Sequence, residues 1–367
     1  MSSPLERRGE LLRLARVLGV EPAELDVLDG ASVADLRALR HEVADRLLER
    51  NREQFARAVQ FGDVVPGAVA AKLAQHVMGP VLGGRAAALM APAKAGDLAG
   101  RLPADFLAEV ACHVDVRHVG PLLVDIDRAT MAAAGEHLHR REEWVVLGAF
   151  VGHLEDDVVA ELLGGFDGEA LLRSGVVIED PTRIDAVLGM LDDARLDGLL
   201  QAADEHALWG DIVSLNVHLG DEQLGRVTAA VERMSGPRIV ALADRLGADA
   251  TMRDEAAPIV ARLSPAFLAD VADQVDLAEI GPLLAGIPYD TLVAAGHELA
   301  RREAWPLLGR LMVVLDDHVL TNLVPVFDDA TLAAAGTTID DPDRVAALLE
   351  LLPDDRRTAA LQALAGE

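Results

Sequence analysis

The feature that most constrains this chain is a long internal repeat. Residues 102–206 align without a gap on residues 263–367 at an offset of 161, and 44 of the 105 aligned positions are identical. Such identity over one uninterrupted stretch indicates that both copies share a pattern of buried and exposed positions, and hence a fold. We therefore predict an internal duplication.

The segments inside each copy are short and helical in pattern. Hydrophobic residues make up 51% of the chain and aromatic residues only 3%, so the core is built from Ala, Leu and Val, which favours helices. Asp180-Pro181 and Asp341-Pro342 are typical of helix starts, because aspartate caps the first-turn amides and proline fits only the first turn. Since helices this short are marginal alone, we predict an all-α fold, an α-solenoid of stacked antiparallel helix pairs of the HEAT or armadillo kind.

Phrases such as RLPADFLAEV, MLDDARLDGLL and LLPDDRRTAAL punctuate these helices. In this respect the chain from about residue 65 to residue 367 resembles the cytosolic N-terminal superhelix of MgtE-type magnesium channels and, more distantly, other armadillo- or HEAT-like arrays. The resemblance implies a superhelical fold and is compatible with acidic surfaces sensitive to divalent cations. The sequence shows no run of about 18 apolar residues, the length that a membrane-spanning helix needs. The resemblance therefore does not imply a channel.

Composition and repeat divide the chain into three sections. We predict an N-terminal helical cap over residues 1–60, a first solenoid section over 61–262 that contains repeat copy 102–206, and the second copy over 263–367. An apolar stripe at Leu36, Leu39, Val43 and Leu47 is too short for a sustained coiled coil. It favours packing of the cap on the chain's own body, with a homodimer through these helices as the alternative.

The net charge is −28, and its distribution narrows the possible partners. Residues 1–60 carry ten arginines against eleven acidic residues, so a net charge of −27 belongs to residues 61–367. Such a field repels phosphate backbones and disfavours nucleic acid as a ligand. A basic protein, a basic peptide or a cationic ligand remains compatible with it.

The sequence offers no established catalytic or cofactor motif. It lacks the Gly-x-Ser-x-Gly elbow, the phosphate-binding Gly-rich loop and the dinucleotide fingerprint, so we expect neither catalysis nor a bound cofactor. The single cysteine, Cys112, has no intrachain partner, which favours a reducing compartment such as the cytoplasm. We read the first twenty residues as an amphipathic helix and expect no membrane span.

One cluster has residue types that bind metals. Its members are Cys112, His113, His118, His137 and His139, with Glu136 beside them. The spacing matches no established zinc framework, and the aligned positions of the second copy hold Asp273, Gln274, Glu279, Glu298 and Ala300. We therefore expect ordinary partly buried histidines here, with a metal site as the minor alternative.

The phrase RREEW at residues 140–144 returns as RREAW at 301–305. We predict that Trp144, Trp305 and a degenerate third instance, Trp209, mark a structural joint between successive helices. Internal ion pairing is the favoured role of Arg140, Arg141, Arg301 and Arg302, and contact with an anion or partner is the alternative.

Three functions are compatible with these features. The favoured one is a non-catalytic binding or scaffold protein that uses an acidic helical-repeat surface to hold a basic partner. The second is a small-molecule-binding protein, or an enzyme of unfamiliar type, with a pocket between the duplicated halves near Met78, Met90, Met131 and Met190. The third is an acidic mimic of nucleic acid.

Overall fold

A computed structural model describes residues 4–28, 30–50 and 52–365 of the chain. Twenty-six α-helices and a few short 3-10 and π turns occupy these ranges, which contain no β-strand. The predicted all-α class is confirmed. No helix in the described ranges is both long and apolar enough to cross a lipid bilayer.

The chain divides into two compact units, residues 1–219 and residues 220–367. The helices of the first unit are α1 (Pro4–Leu18), α2 (Val33–Arg50), α3 (Arg52–Val64), α4 (Gly67–Leu73), α5 (Gly79–Ala87), α6 (Pro92–Ala99), α7 (Ala104–Ala111), α8 (Val116–Leu123), α9 (Arg128–Arg140), α10 (Trp144–Val151), α11 (Asp156–Leu163), α12 (Gly168–Gly175), α13 (Thr182–Gly189), α14 (Asp193–Glu205) and α15 (Trp209–Leu215), with 3-10 turns at Pro22–Leu28 and Asn216–His218 and a π turn at Ala74–Met78.

The second unit is built in the same way. Its helices are α16 (Asp221–Glu232), α17 (Gly236–Ala248), α18 (Ala250–Val260), α19 (Pro265–Ala272), α20 (Gly281–Leu284), α21 (Tyr289–Arg301), α22 (Trp305–Val314), α23 (Asp317–Leu323), α24 (Asp329–Gly336), α25 (Pro342–Glu350) and α26 (Asp354–Ala365), with a 3-10 turn at Val324–Val326. Helices α7, α9, α10, α11, α12 and α14 begin 161 positions before α19, α21, α22, α23, α24 and α26.

Helices that alternate along the chain pack on one another. In the first unit the odd-numbered helices from α3 to α13 form one series of contacts, and the even-numbered helices from α4 to α14 form a second. In the second unit α17, α19, α21 and α23 pack in sequence, as do α22, α24 and α26. Neighbours two elements away therefore stabilise these helices, because helices this short are marginal on their own.

Aspartates begin many of these helices, as the sequence predicts. The carboxylates of Asp127, Asp167, Asp192, Asp328 and Asp341 accept hydrogen bonds from amides of the first helical turn. The negative carboxylate also complements the positive end of the helix dipole. Capping therefore accounts for these acidic residues without a catalytic role.

Glycine permits close helix packing at one repeated position. A Cβ on Gly148 would lie 2.3 Å from the Ser174 carbonyl oxygen, and a Cβ on Gly309 would lie 2.4 Å from Thr338 Oγ1. These glycines are 161 positions apart. They allow α10 to approach the end of α12, and α22 to approach the end of α24, more closely than any larger residue would.

The N-terminal helices pack on the body of their own unit. Helix α1 contacts α2 and α15, and Leu12 packs against the buried pair Val176 and Val177. The Arg13 guanidinium donates a 2.6 Å hydrogen bond to the Val177 carbonyl oxygen. These contacts join segments about 160 residues apart in sequence.

Candidate functional site

The Cys/His cluster is divided between two places. Cys112 and His113 follow α7 and His118 lies in α8, where all three line a groove of about 190 Å3 together with Arg13 and Arg40. Burial, reinforced by the neighbouring Glu143 carboxylate, raises the pKa of the Cys112 thiol to about 11. The thiol is therefore protonated near neutral pH, the opposite of what a nucleophile requires.

In the described part of the chain, one group of three side chains has the geometry of a small cation site. Asp45, Asp115 and His118 each place one ligand atom within 4.8 Å of the others. The Arg117 guanidinium already lies between the two carboxylates, with Nη2 3.0 Å from Asp45 Oδ1 and 2.5 Å from Asp115 Oδ2. Because a guanidinium supplies the positive charge, the group needs no metal ion.

The two remaining histidines of the cluster lie on α9. The His139 ring stacks on Phe166, with centroids 5.2 Å apart and planes 28° apart, and lies 5.6 Å from the Trp144 ring. Residues two apart on a helix project to different faces, so His137 does not share this environment. His139 is thus part of an aromatic stack.

The four arginines of the repeated phrase form ion pairs with nearby carboxylates. Arg140 pairs with Glu136 and Arg141 with Glu109, while Arg301 and Arg302 both pair with Glu298. Arg302 additionally reaches Asp270. Hydrogen bonds from the two guanidinium groups lower the pKa of Glu298 to about 2.

All three tryptophans occupy the same kind of helix junction. Glu142, Ala207 and Glu303 have a left-handed φ of 56°, and each stands two residues before the tryptophan that begins α10, α15 or α22. Trp209 is 3% exposed, and its indole N–H donates to Asp204 at 3.3 Å. A left-handed residue that is not glycine is uncommon, so its recurrence identifies one joint used three times.

A buried ion cluster holds the N-terminal helices in place. Glu10, whose side chain is fully buried, accepts hydrogen bonds of 2.9–3.0 Å from Arg13, Arg37 and Arg40, and Arg40 also donates to Glu179 at 2.7 Å. Burial alone would raise the pKa of Glu10, but the surrounding arginines outweigh it and hold that pKa below its usual value. The sequence did not lead us to predict this cluster. The pattern that could have indicated it is the pairs of arginines spaced three residues apart within apolar stripes.

One cavity inside the first unit is apolar. It has a volume of about 190 Å3 and is bordered by helices α5 to α11, with Met90, Phe106, Met131 and Phe166 among its lining residues. Among the described residues that line it, Thr130 alone has a polar side chain. The sequence showed the Ala-, Gly- and Met-rich composition of this region, but not the cavity.

No protein-family model, curated protein or solved structure matches the chain. The likeness to the MgtE-type superhelix therefore stays a prediction from sequence. The fold and site define an all-α protein whose N-terminal unit contains an apolar cavity that is partly open to solvent.

Proposed function

We propose that this chain is a non-catalytic binding protein whose first unit holds an uncharged, mainly apolar small molecule. The observation that carries the proposal is the cavity of about 190 Å3, in which Thr130 provides the one polar side chain among the described lining residues. Apolar cavities of about 150 Å3 stay dry and bind benzene. A cavity of this size and lining therefore fits a ligand of about six to ten non-hydrogen atoms.

The lining chemistry excludes charged ligands. An ion transferred into this site would lose its hydration without a charged partner, at a cost of several kcal/mol or more. The Thr130 hydroxyl also donates to the Asp127 carboxylate, so it already has a partner. A ligand here is held by dispersion and by removal of apolar surface from water.

The side chains that surround the cavity are suited to adapting to a ligand. Met90 and Met131 line it, and an unbranched thioether changes its rotamer more readily than a branched side chain. Ala134 and Gly135 leave space where larger residues would fill it. The site can therefore adapt its shape to a ligand, but it offers few directional hydrogen bonds to recognise one.

The scaffold we propose is a solenoid in each unit, produced by internal duplication. Alternating helix contacts and helix starts that recur at an offset of 161 support it. A stack of short helices leaves its interior to be filled by whatever side chains each repeat supplies. The interior of one repeat can therefore contain a cavity while its helices keep their stacking.

Ligand binding is tested by thermal denaturation with benzene and indole as probes. We expect the melting temperature to rise with probe concentration, because a ligand that binds only the folded state stabilises it by mass action. The variant Ala134→Leu, which places a larger side chain in the cavity, should abolish the rise. Ala133→Leu makes the same change at the adjacent, half-buried position outside the cavity lining and serves as the control.

Two results would contradict the proposal. One is a wild-type melting temperature that does not respond to either probe up to saturation. The other is an Ala134→Leu variant that binds them as well as the Ala133→Leu control does.

A second function, docking of a basic peptide or protein on the acidic surface, is favoured by the charge distribution. Internal ion pairs engage many arginines, for example Arg128, Arg262 and Arg344, while the whole chain keeps a net charge of −28. We expect a lysine-rich peptide to bind with an affinity that falls steeply as salt is raised. Equal affinity at 50 mM and 500 mM salt would contradict electrostatic docking; competition by DNA-binding domains would favour the nucleic-acid mimic.

A further inference from the structure

The two repeat copies place one phenylalanine differently relative to the same glycine. A Cβ built on Gly296 would lie 2.5 Å from Phe327 Cζ and 3.2 Å from one of its ε carbons. A Cβ built on the aligned Gly135 meets Leu162 Cδ2 at 3.0 Å and no atom of Phe166 within 4 Å. The Phe327 ring therefore covers Gly296, whereas the Phe166 ring leaves Gly135 uncovered.

Each phenylalanine lies beside a histidine, and the histidine occupies a different position in each copy. In the first copy Phe166 stacks on His139, whose aligned residue is Ala300. In the second copy Phe327 lies 5.1 Å from His297, whose aligned residue is Glu136. His297 adjoins Gly296 in sequence, while His139 is one helical turn beyond Gly135. In both copies the phenylalanine ring packs beside the histidine, although the histidine occupies a different helix position.

Differences in side-chain size within the aligned stretch partly offset one another. Val119, Val151 and Val159 of the cavity lining align with the larger Ile280, Met312 and Leu320, but Phe150 and Leu163 align with the smaller Leu311 and Val324. The position of the Phe166 ring is a further difference between the copies, at a residue and a glycine that both copies share.

We propose that His139 is a positioning and specificity-determining residue that holds Phe166 away from Gly135 and thereby keeps the apolar cavity open for ligand. Trp144 also lies 5.6 Å from His139, so the imidazole ring has two aromatic neighbours. Offset and tilted aromatic pairs are favourable arrangements. Gly135 and Phe166 both line the cavity, so the displaced ring forms one of its walls.

This role rests on the proposed function and specifies its ligand class. Because the Phe166 ring forms one wall of the cavity, the site favours a flat, uncharged ligand, since an aromatic or cyclic hydrocarbon packs well against a phenyl ring. The second copy, with Phe327 over Gly296, has no equivalent space at that point. The histidine position therefore decides which copy accepts such a ligand.

The test exchanges histidine positions between the copies in the full chain. The variant Glu136→His/His139→Ala gives the first copy the residues of the second, and His297→Glu/Ala300→His does the reverse. Every introduced residue occurs naturally at the aligned position, which limits the risk of misfolding. The single variant Glu136→His keeps His139 and is the control.

Two readouts separate ring position from ligand binding. The NMR ring-current shift of the Gly135 α protons reports whether Phe166 lies over the glycine. Titration with benzene measures the affinity of the cavity for a ligand. For Glu136→His/His139→Ala we expect a changed Gly135 shift and benzene affinity weaker by about tenfold or more, since a ligand must first displace the ring. For the reverse exchange we expect the Gly296 shift to change and benzene binding to appear in the second unit.

An unchanged Gly135 shift in Glu136→His/His139→Ala would overturn the role of His139, even if the wild type binds benzene. A wild type that fails to bind benzene, combined with the expected change in the Gly135 shift, would overturn the proposed function while supporting the role of His139 in placing Phe166. Full benzene affinity in the exchanged variant, with a changed shift, would overturn the link between ring position and ligand.

Discussion

Alanine in place of Gly135 or Gly296 should change stability in opposite directions, although the two glycines are aligned. Both lie inside long helices, α9 and α21, where alanine is favoured over glycine by about 0.5–1 kcal/mol. That gain is common to both sites. The difference comes from what the new methyl group meets.

At position 135 the methyl group would lie 3.0 Å from Leu162 Cδ2, the end of a half-buried side chain that borders the cavity. A shift of a few tenths of an ångström into the cavity relieves this contact. At position 296 it would lie 2.5 Å from Phe327 Cζ, and Phe327 is 1% exposed. Overpacking a filled core costs about 1–3 kcal/mol.

We therefore expect Gly135→Ala to stabilise the first unit by about 0.5 kcal/mol and Gly296→Ala to destabilise the second by about 1–2 kcal/mol. Native-state hydrogen exchange at the amides of α9 and α21 measures the free energy of opening for each unit separately. Changes of the same sign and size at both sites would refute the argument, since they would mean that Phe166 and Phe327 are placed alike.

Two further predictions concern ionisable groups of the first unit. Glu10→Gln should destabilise that unit by about 3 kcal/mol or more, measured by urea unfolding, because the buried arginines lose their carboxylate partner; a change below about 1 kcal/mol would contradict the buried cluster. Since folding lowers the pKa of Glu10, its contribution to stability is present above the unfolded value of 4.5 and is lost as pH falls through the folded value. The acid-induced loss of melting temperature should accordingly be smaller in Glu10→Gln than in the wild type. With its pKa raised to about 11, Cys112 should react with iodoacetamide at pH 8 about a hundredfold or more slowly than an exposed cysteine, and reaction at the ordinary rate would contradict its burial.

Helix positions were predictable because the signals for them are local. Aspartate and proline at helix starts act on amides within one turn, and these residues recur in both copies. The joint at Trp144 and Trp305 was predicted from the repeated phrase alone. The left-handed residues at 142 and 303 explain why that phrase includes a short turn before each tryptophan.

The candidate site was not predictable in the same way. The Cys/His cluster was a candidate metal site because of its residue types, yet its members lie in two different environments. The apolar cavity contains no distinctive residue type and is lined by apolar side chains from several helices. Likewise, Glu10 meets Arg40 across a helix pair, and nothing in the nearby sequence specifies this partner.

Sequence alone was sufficient for the all-α class, for aspartate-capped helix starts and for the repeat at an offset of 161 residues, because each depends on residues within a few positions or on direct comparison of two segments. Gly120-Pro121, by contrast, reads as a helix boundary in the sequence but lies inside α8. Long-range packing decided the rest. Gly135 and Gly296 are the same residue in the same register, and Phe166 and Phe327 follow each by the same interval. Whether the ring covers the glycine depends on which helix position carries the histidine and on the aromatic neighbours that the fold brings to it.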